Sequence, residues 1–518
     1  MDQRHLARKG TRYTLEFFLF FLYASFVLVT DFFVTRDRRY FLRWSFIGVM
    51  ILIAVCPMLL RRVGRIALLD VRQKDDPRVF LFFWALTLTL FMVIYFTFFP
   101  GRFTPDSNSQ YAQVMNNTYN DWHPVIQTLL TFKLPLFITK GWPGSIVLFQ
   151  IEELSVIIAY ALYTVYLFVG LKYALIAMAF MLLNPNVLFI CIFPWKDVTF
   201  AMGALLLATY GLRIYISRGK WLNRRRNTAL FIFICALTTL VRHNAVLFTI
   251  PLLFAVFFQT TRKRGLALGL CVIALVGIIK GPVYSLMDVK KPGSRQIETL
   301  GLPMVVIGAL ATYDPGSLDA ETKEFVDSVA ASEVWREKYT YGNYNNVKWD
   351  IRTNNQVIEE YGTDKVVHMM LRCFIRSPEH AMNAMVHLTN PLYSLQGDYS
   401  IEQYGGESPW HGFTFTGIEV FQTLFWKYQN VAVFYCPHLF MYYGVAHLLL
   451  LAGIMAKYRL KRFTDWKRIL FVLPLFVYNF GTALLLTSCR DALRFFFYTF
   501  LLTPVLLIFL FRKECEES

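Results

Sequence analysis

The chain has 518 residues, 56% of them hydrophobic, with 49 Phe, a mean hydropathy of +0.43 and a formal net charge of +17. That apolar excess excludes an ordinary water-soluble domain and points to a polytopic membrane protein. The charge is no nucleic-acid footprint: Asp288–Asn430 holds 18 acidic and 12 basic residues, against 17 acidic and 40 basic elsewhere. The surplus lies in short loops between apolar runs, Arg61–Arg78, Arg218–Arg226, Arg262–Arg264 and Lys457–Arg468, where positive charge fixes topology and meets anionic headgroups. Of the eight cysteines, Cys56, Cys191, Cys235 and Cys271 lie in apolar runs, and no pair has CxxC or zinc spacing, which argues against a disulfide or metal framework.

In chain order, a basic head precedes the run Leu15–Val34, too long for a signal-peptide core and read as a retained signal anchor. Further runs suited to crossing a bilayer are Trp44–Leu60, Val79–Phe99, Ser145–Val169, Tyr173–Ile192, Val198–Ser217, Thr228–Val241, Val246–Phe258, Leu266–Met287, Val431–Lys457, Ile469–Thr487 and Phe495–Phe511. Thr228–Phe258 reads either as one kinked segment or as two short helices around Arg242–Asn244. The run Val125–Lys140 sets the topology. If it crosses, Arg218–Arg226 falls outside, against the positive-inside rule; lying along the surface, interrupted by Lys133 and Pro135, it puts every strong basic loop from Arg61 onward inside. The fold class is then an all-α polytopic membrane protein of about 12 transmembrane helices with both termini cytoplasmic, although the basic loop Arg36–Arg43 falls outside in this count. Residues 1–287 form a membrane domain whose first outer loop is 100–144, residues 288–430 an extracytoplasmic region, and residues 431–518 the C-terminal transmembrane helices. Within the middle region, Ile297–Ala311 reads as a second membrane-surface helix, and Glu321–Val334 and Lys365–Arg376 have helical patterns.

The polar loop Pro100–Pro124, PGRFTPDSNSQYAQVMNNTYNDWHP, carries Asp106, Gln110, Asp121 and His123 with a single basic residue, Arg102. A helix beginning near Asn108 would put the Asp106 carboxylate at its N-terminus, as a general base, a ligand or a plain helix cap. Three other polar sites interrupt apolar sequence: Lys196-Asp197, Arg242-His243-Asn244, and Arg490-Asp491 with Arg494. In this topology all arrive on the outer face with Asp106 and His123. Charges at a membrane boundary are costly and tend to pair or line a site. Arginine suits a phosphate, while the bland reading of Lys196-Asp197 is an ion pair that stitches helices. No Walker A, HExxH, GxSxG or GxGxxG pattern occurs in a setting that supports it.

The motifs PDS…Q, HP…TLL, KD between two spans and RHN in a later span resemble the GT-C superfamily of membrane glycosyltransferases, and more closely a bacterial family of GT-C-like membrane proteins. The resemblance covers most of the chain as a thin scatter of motifs. It implies a GT-C-like fold that transfers a sugar from a polyprenyl-phosphate-linked donor to a glycan, glycolipid or protein acceptor on the extracytoplasmic face; the basic inner loops favour a bacterial plasma membrane, and an endoplasmic-reticulum membrane is the alternative. It also implies Asp106 as the catalytic base, His123 as a positioning group, and Lys196, Arg242 and Arg494 as binders of the donor phosphate, with Asp121 open as a second acid; by its place in the sequence Arg490 reads as a further phosphate binder, and Gln110, Asp197 and Asn244 as further site candidates. Many superfamily members have two adjacent acids in the first loop, whereas Asp106 is followed by Ser107, so the role of a divalent metal stays open. The alternative is a transporter or flippase of lipid-linked glycans. It would use the same cations but need no base, and the related halves it should show are not visible.

Overall fold

The computed structural model describes residues 25–30, 32, 34, 73–291, 296–394, 417–435, 443–459 and 467–511. Among them the chain is helical with no β-strand, so the protein is all-α. Most of Leu15–Val34, all of Trp44–Leu60 and the loop Arg36–Arg43 lie outside the described residues.

We name the main helices α1 (Pro77–Thr97), α2 (Pro105–Met115), α3 (Val125–Ile138), α4 (Gly144–Val169), α5 (Leu171–Leu182), α6 (Lys196–Ile216), α7 (Arg225–Leu240), α8 (Val246–Gln259), α9 (Arg262–Leu286), α10 (Gly301–Tyr313), α11 (Ala320–Val329), α12 (Thr363–Arg376), α13 (Pro378–Thr389), α14 (Glu419–Tyr435), α15 (Tyr443–Arg459), α16 (Leu473–Ala483) and α17 (Tyr498–Phe511). Helices α1, α4, α6 and α9 are long and apolar enough to cross a membrane, and the bent pair Cys489–Phe496 with Tyr498–Leu510 adds a fifth if it is one span. Such helices are compatible with an integral membrane protein. Among the described residues these helices do not confirm the expected count of about 12, and polar residues and prolines interrupt several of the apolar runs there. Asn184-Pro185 ends α5 and starts a new short helix, with the Asn184 side chain accepting from the Asn186 amide at 2.9 Å. Arg242–Asn244 divides Thr228–Phe258 into the two helices α7 and α8.

Contacts between the connecting segments define two ends of the bundle. At one, Arg264 Nη1 donates to Asn223 at 2.6 Å, the Gln73 amide to the Leu167 carbonyl at 3.1 Å, and Gln259 Nε2 to the Tyr215 carbonyl at 3.2 Å; the clusters Arg218–Arg226 and Arg262–Arg264 lie here. At the other, the Arg102 amide donates to Ile192 at 3.0 Å, Tyr95 Oη to the Gly144 carbonyl at 3.0 Å, and the Leu302 amide to Leu484 at 3.1 Å. Helix α3 stays at this second end: Lys133 Nζ donates to Asn117 at 3.2 Å, and Thr131 meets Thr199 in the first turn of α6 at 3.2 Å. Its middle opens into a π turn at Leu129–Lys133, beside Pro135, whose missing N–H breaks the α-helical ladder.

Residues 297–394 cap the second end. Helix α10 is apolar all round and buried almost throughout, so it is the core of this cap and not a surface helix, as expected of a helix with no polar face. Helices α12 and α13 pack on it, with α11 joined at its end. The cap is fastened by backbone pairing to the segment before α17: the Tyr344 amide donates to Thr487 at 2.7 Å and the Cys489 amide to Gly342 at 2.8 Å. A buried network ties it deeper. His447 Nδ1 lies 2.8 Å from the Leu392 carbonyl and so carries the proton, leaving Nε2 to accept from Asn479 at 2.9 Å, while Tyr498 Oη donates to Asn479 Oδ1 at 2.9 Å. Asn479→Leu orphans His447 Nε2 and the Tyr498 hydroxyl in an apolar interior. We expect it to destabilise the protein by about 2–4 kcal/mol, read as a lower melting temperature of the purified protein in detergent.

Candidate functional site

Gly101 starts the site. It adopts φ +108°, and a Cβ there would meet Val147 at 2.5 Å, so only glycine lets the chain turn this close to α4. The turn delivers α2 three residues earlier than the sequence suggests, with Thr104 at the N-cap and Pro105 at N1. Thr104 does not cap; its hydroxyl accepts the indole N–H of Trp195 at 2.9 Å. Trp195 immediately precedes α6, so this bond joins the starts of α2 and α6. Asp106 and Lys196, each in the first turn of its helix, are thereby brought together.

Arg494, on the short helix Ala492–Phe496, completes the group. Its Nη1 donates to Asp106 Oδ2 at 3.2 Å, its Nε lies 3.6 Å from Asp491, and its guanidinium faces the rings of Trp195 at 5.3 Å and Phe495 at 4.8 Å. Asp491 is held in turn by Asn345, at 2.9 Å, which accepts from Thr487. Lys196 is half-buried and makes no direct hydrogen bond or ion pair among the described residues; it lies within electrostatic reach of Asp106, Arg494, Arg242 and Glu298. His123 is 3% exposed, and its Nδ1 has no hydrogen-bond partner among the described residues. The Asp106 side chain is 36% exposed and that of Arg494 18%, so the group remains reachable from outside.

Arg242 plays a different part. At the break between α7 and α8 it forms an ion pair with Asp197, the two side chains being 5% and 1% exposed. Its Nε also donates to Asn244 at 2.7 Å, its plane lies over Phe495 at 4.3 Å, and Asn244 passes on to Thr482 at 2.8 Å. Asp197 therefore pairs across helices with Arg242 and not with its neighbour Lys196. Arg242 and Asp197 are buried together beside the pocket, with the half-buried Asn244 bonded to the arginine. Gln110 is buried, bonded to Gln127 and, at 2.9 Å, to Thr128, and so locks α2 to α3. Asp121 lies 4.0 Å from Lys280, and its amide donates to the Lys290 carbonyl. Arg490 is on the exposed side of its turn.

Trp195, Asn345 and the Glu298–Lys348 ion pair also belong to this neighbourhood and are not among the sequence candidates. Trp195 has a local signal, its place directly before Lys196 in FPWKD. Asn345 and Glu298 have none, because only the docking of the cap brings them near.

Electrostatics follow from the geometry. Burial acts to raise the Asp106 carboxyl, but Arg494, Lys196 and His123 outweigh it and hold it at about 2. Burial, reinforced by Lys196, pushes the His123 imidazole down to about 3 against the pull of Asp106. At neutral pH the pocket thus holds an ionised carboxylate, a neutral imidazole and two cations. Such a set can bind an anion, and Asp106 is its one carboxylate placed to accept a proton. Among the described residues no three His, Cys, Asp or Glu side chains converge on a common point.

Two predictions follow from this chemistry. Unfolded His123 titrates near 6.5 and folded His123 near 3, so below pH 6.5 the unfolded chain binds the extra proton. Stability therefore falls on acidification, by at most about 1.4 kcal/mol per pH unit for one histidine. Between pH 6.5 and 4.5, above the range where Asp106 contributes, His123→Gln should lose melting temperature less steeply than the wild type. The adjacent residues Lys196 and Asp197 should behave oppositely. Asp197→Ala strands a buried arginine and costs about 3–5 kcal/mol, whereas Lys196→Gln removes a cation crowded by Arg242 and Arg494 and should not lower stability, both read by thermal unfolding. No family model, curated protein or solved structure matches the chain, so the functional reading rests on the residues of this pocket.

Proposed function

We propose that this protein is a membrane glycosyltransferase that moves a sugar from a polyprenyl-phosphate-linked donor to the hydroxyl of a glycan, glycolipid or protein acceptor. The observation that carries this reading is the grouping of a reachable carboxylate, Asp106, with Arg494 and Lys196 and the neutral His123 in one pocket. In the reaction, Asp106 takes the acceptor's O–H proton as that oxygen bonds to the anomeric carbon. The bond from this carbon to the donor's phosphate oxygen breaks with inversion, and its electron pair leaves on the phosphate. Lys196 and Arg494 stabilise that charge where it develops. His123 serves as a neutral hydrogen-bonding group for the phosphate or the acceptor. Arg242 contributes through its position, as a fixed positive neighbour of Lys196 held by Asp197.

The pocket lies at the end opposite Arg218–Arg226 and Arg262–Arg264. In this reading those loops are cytoplasmic and the pocket extracytoplasmic, by the positive-inside rule, in a multi-pass protein of a bacterial plasma membrane. The shorter helices α5, α7, α8, α15 and α16, together with the apolar runs outside the described residues, would then make up the remaining crossings of a GT-C-like fold. The cap 297–394 over the pocket is where an acceptor would approach.

Asp106→Asn is nearly isosteric and is expected to keep the protein's membrane level while lowering transfer from a polyprenyl-phosphate sugar by at least about 10³-fold, in the range of a lost general base or more. Lys196→Gln should raise KM for the donor and lower kcat. Sugar transfer by radiolabelled donor in reconstituted vesicles checks both. Movement of lipid-linked sugar across the vesicle bilayer that persists in Asp106→Asn protein would instead identify a transporter.

A further inference from the structure

Arg494 has more than one claim on it. Its Nη1 bonds Asp106 at 3.2 Å while its Nε leans toward Asp491 at 3.6 Å. Neither contact is the short two-pronged pair an arginine can make with a carboxylate. Ring faces of Trp195 and Phe495 support the guanidinium, and these tolerate sliding within its plane. Asp491 is fixed by Asn345 and hence by the cap, whereas Asp106 is on α2 and Lys196 on α6. An anion entering beside Lys196 therefore meets a guanidinium already shared between two carboxylates.

We propose that Arg494 is an exchangeable latch on Asp106: in the empty site it blocks the carboxylate, and on arrival of a lipid-borne phosphate it turns to that phosphate and frees Asp106 to act as the base. This inference rests on the transferase reading and adds an order to it, with donor before acceptor. A carboxylate held by a guanidinium is a weak base, and its proton affinity recovers when the cation is drawn away. The phosphate supplies the replacement partner for Arg494, so binding the donor and arming the base are one event. Acceptor hydroxyls or water that reach an empty pocket then meet no active base. The charged and titratable groups around Asp106 are Arg494 and Asp491 from the turn before α17, Lys196 from α6 and His123 from the segment before α3. Arg242 with Asp197, and Glu298 with Lys348, stand behind Lys196.

The test is a pH titration of the Asp106 carboxylate by difference infrared spectroscopy, wild type minus Asp106→Asn, on the full chain in lipid nanodiscs. Farnesyl phosphate serves as the probe, because it offers the phosphate and a lipid tail but no sugar to transfer. Without probe, Asp106 should remain ionised at the lowest pH at which the protein stays folded. With saturating probe its midpoint should rise by about two units, into the ordinary carboxylate range. Arg494→Gln should show a raised midpoint with no probe present, below that of the probe-bound wild type because Lys196 still lowers it. The latch is overturned if the probe binds wild type without moving the midpoint, or if Arg494→Gln leaves Asp106 as acidic as before. Those results leave the transferase reading standing. If farnesyl phosphate fails to bind the wild-type protein at all, the phosphate site itself is wrong, and both the reading and the latch fall.

Discussion

The interaction on which the site depends is the buried pair of Asp197 and Arg242. An arginine in the middle of an apolar run has to find a counter-charge or reach water, and here it finds Asp197 in the first turn of α6. That contact pins the tip between α7 and α8 to the start of α6. Asn244 extends the attachment to Thr482 in α16. Three parts of the chain far apart in sequence are thus fixed at one level of the bundle. A buried ion pair of this kind adds little net stability over apolar packing, but it tolerates almost no alternative arrangement. Its contribution is placement: with α6 held in this way, Lys196 must present itself to the pocket.

This division of labour among the cations is the main physical fact about the pocket. Arg242 is neutralised, desolvated and shut off from water, so its charge is already committed. Arg494 is shared between Asp106 and Asp491 at longer distances and stays partly exposed. Lys196 has only through-space neighbours among the described residues. The readiness of each to meet an anion follows that order in reverse. Adjacent charges in sequence, Lys196 and Asp197, therefore do opposite jobs, one facing the pocket and one facing the protein interior, as the helical turn of about 100° between neighbours allows.

The all-α class and the helix at Val125 were legible in the sequence because they rest on hydrophobic runs and on the cost of burying charge, and the two-helix arrangement around Arg242–Asn244 was one of the two readings its sequence left open. The membership of the pocket was legible in part for the same reason: Lys196 and Arg494 interrupt apolar runs, Asp106 and His123 lie in the polar loop at the same boundary, and charges in such places gather. Pairing was not legible. Nothing in LVRHNAV and FPWKDVTF says that Arg242 takes Asp197 and leaves Lys196, since that choice depends on helix rotation. The start of α2 falls before the expected Asn108 because Pro105 and the turn at Gly101 decide it. The apolar segment before Tyr313 suggested a membrane surface, when its uniform apolarity suits the centre of the cap.

The pocket is ringed by the beginnings of helices: α2 carries Asp106, α3 follows His123, α6 opens with Lys196, α8 follows Arg242, and the short helix before α17 carries Arg494. Helix starts present unsatisfied N–H groups and a positive potential. An acid such as Asp106 is at home there, by about 0.3–1 kcal/mol. Lys196 in the same kind of position is not; it opposes its own helix dipole and shares the neighbourhood of Arg242 and Arg494. A sequence selected for stability alone would not place a lysine there, and local rules are broken in this way mostly where function requires it. The one ligand that relieves all of these positive groups together is an anion, and the one acid already among them is the group that such an anion would displace.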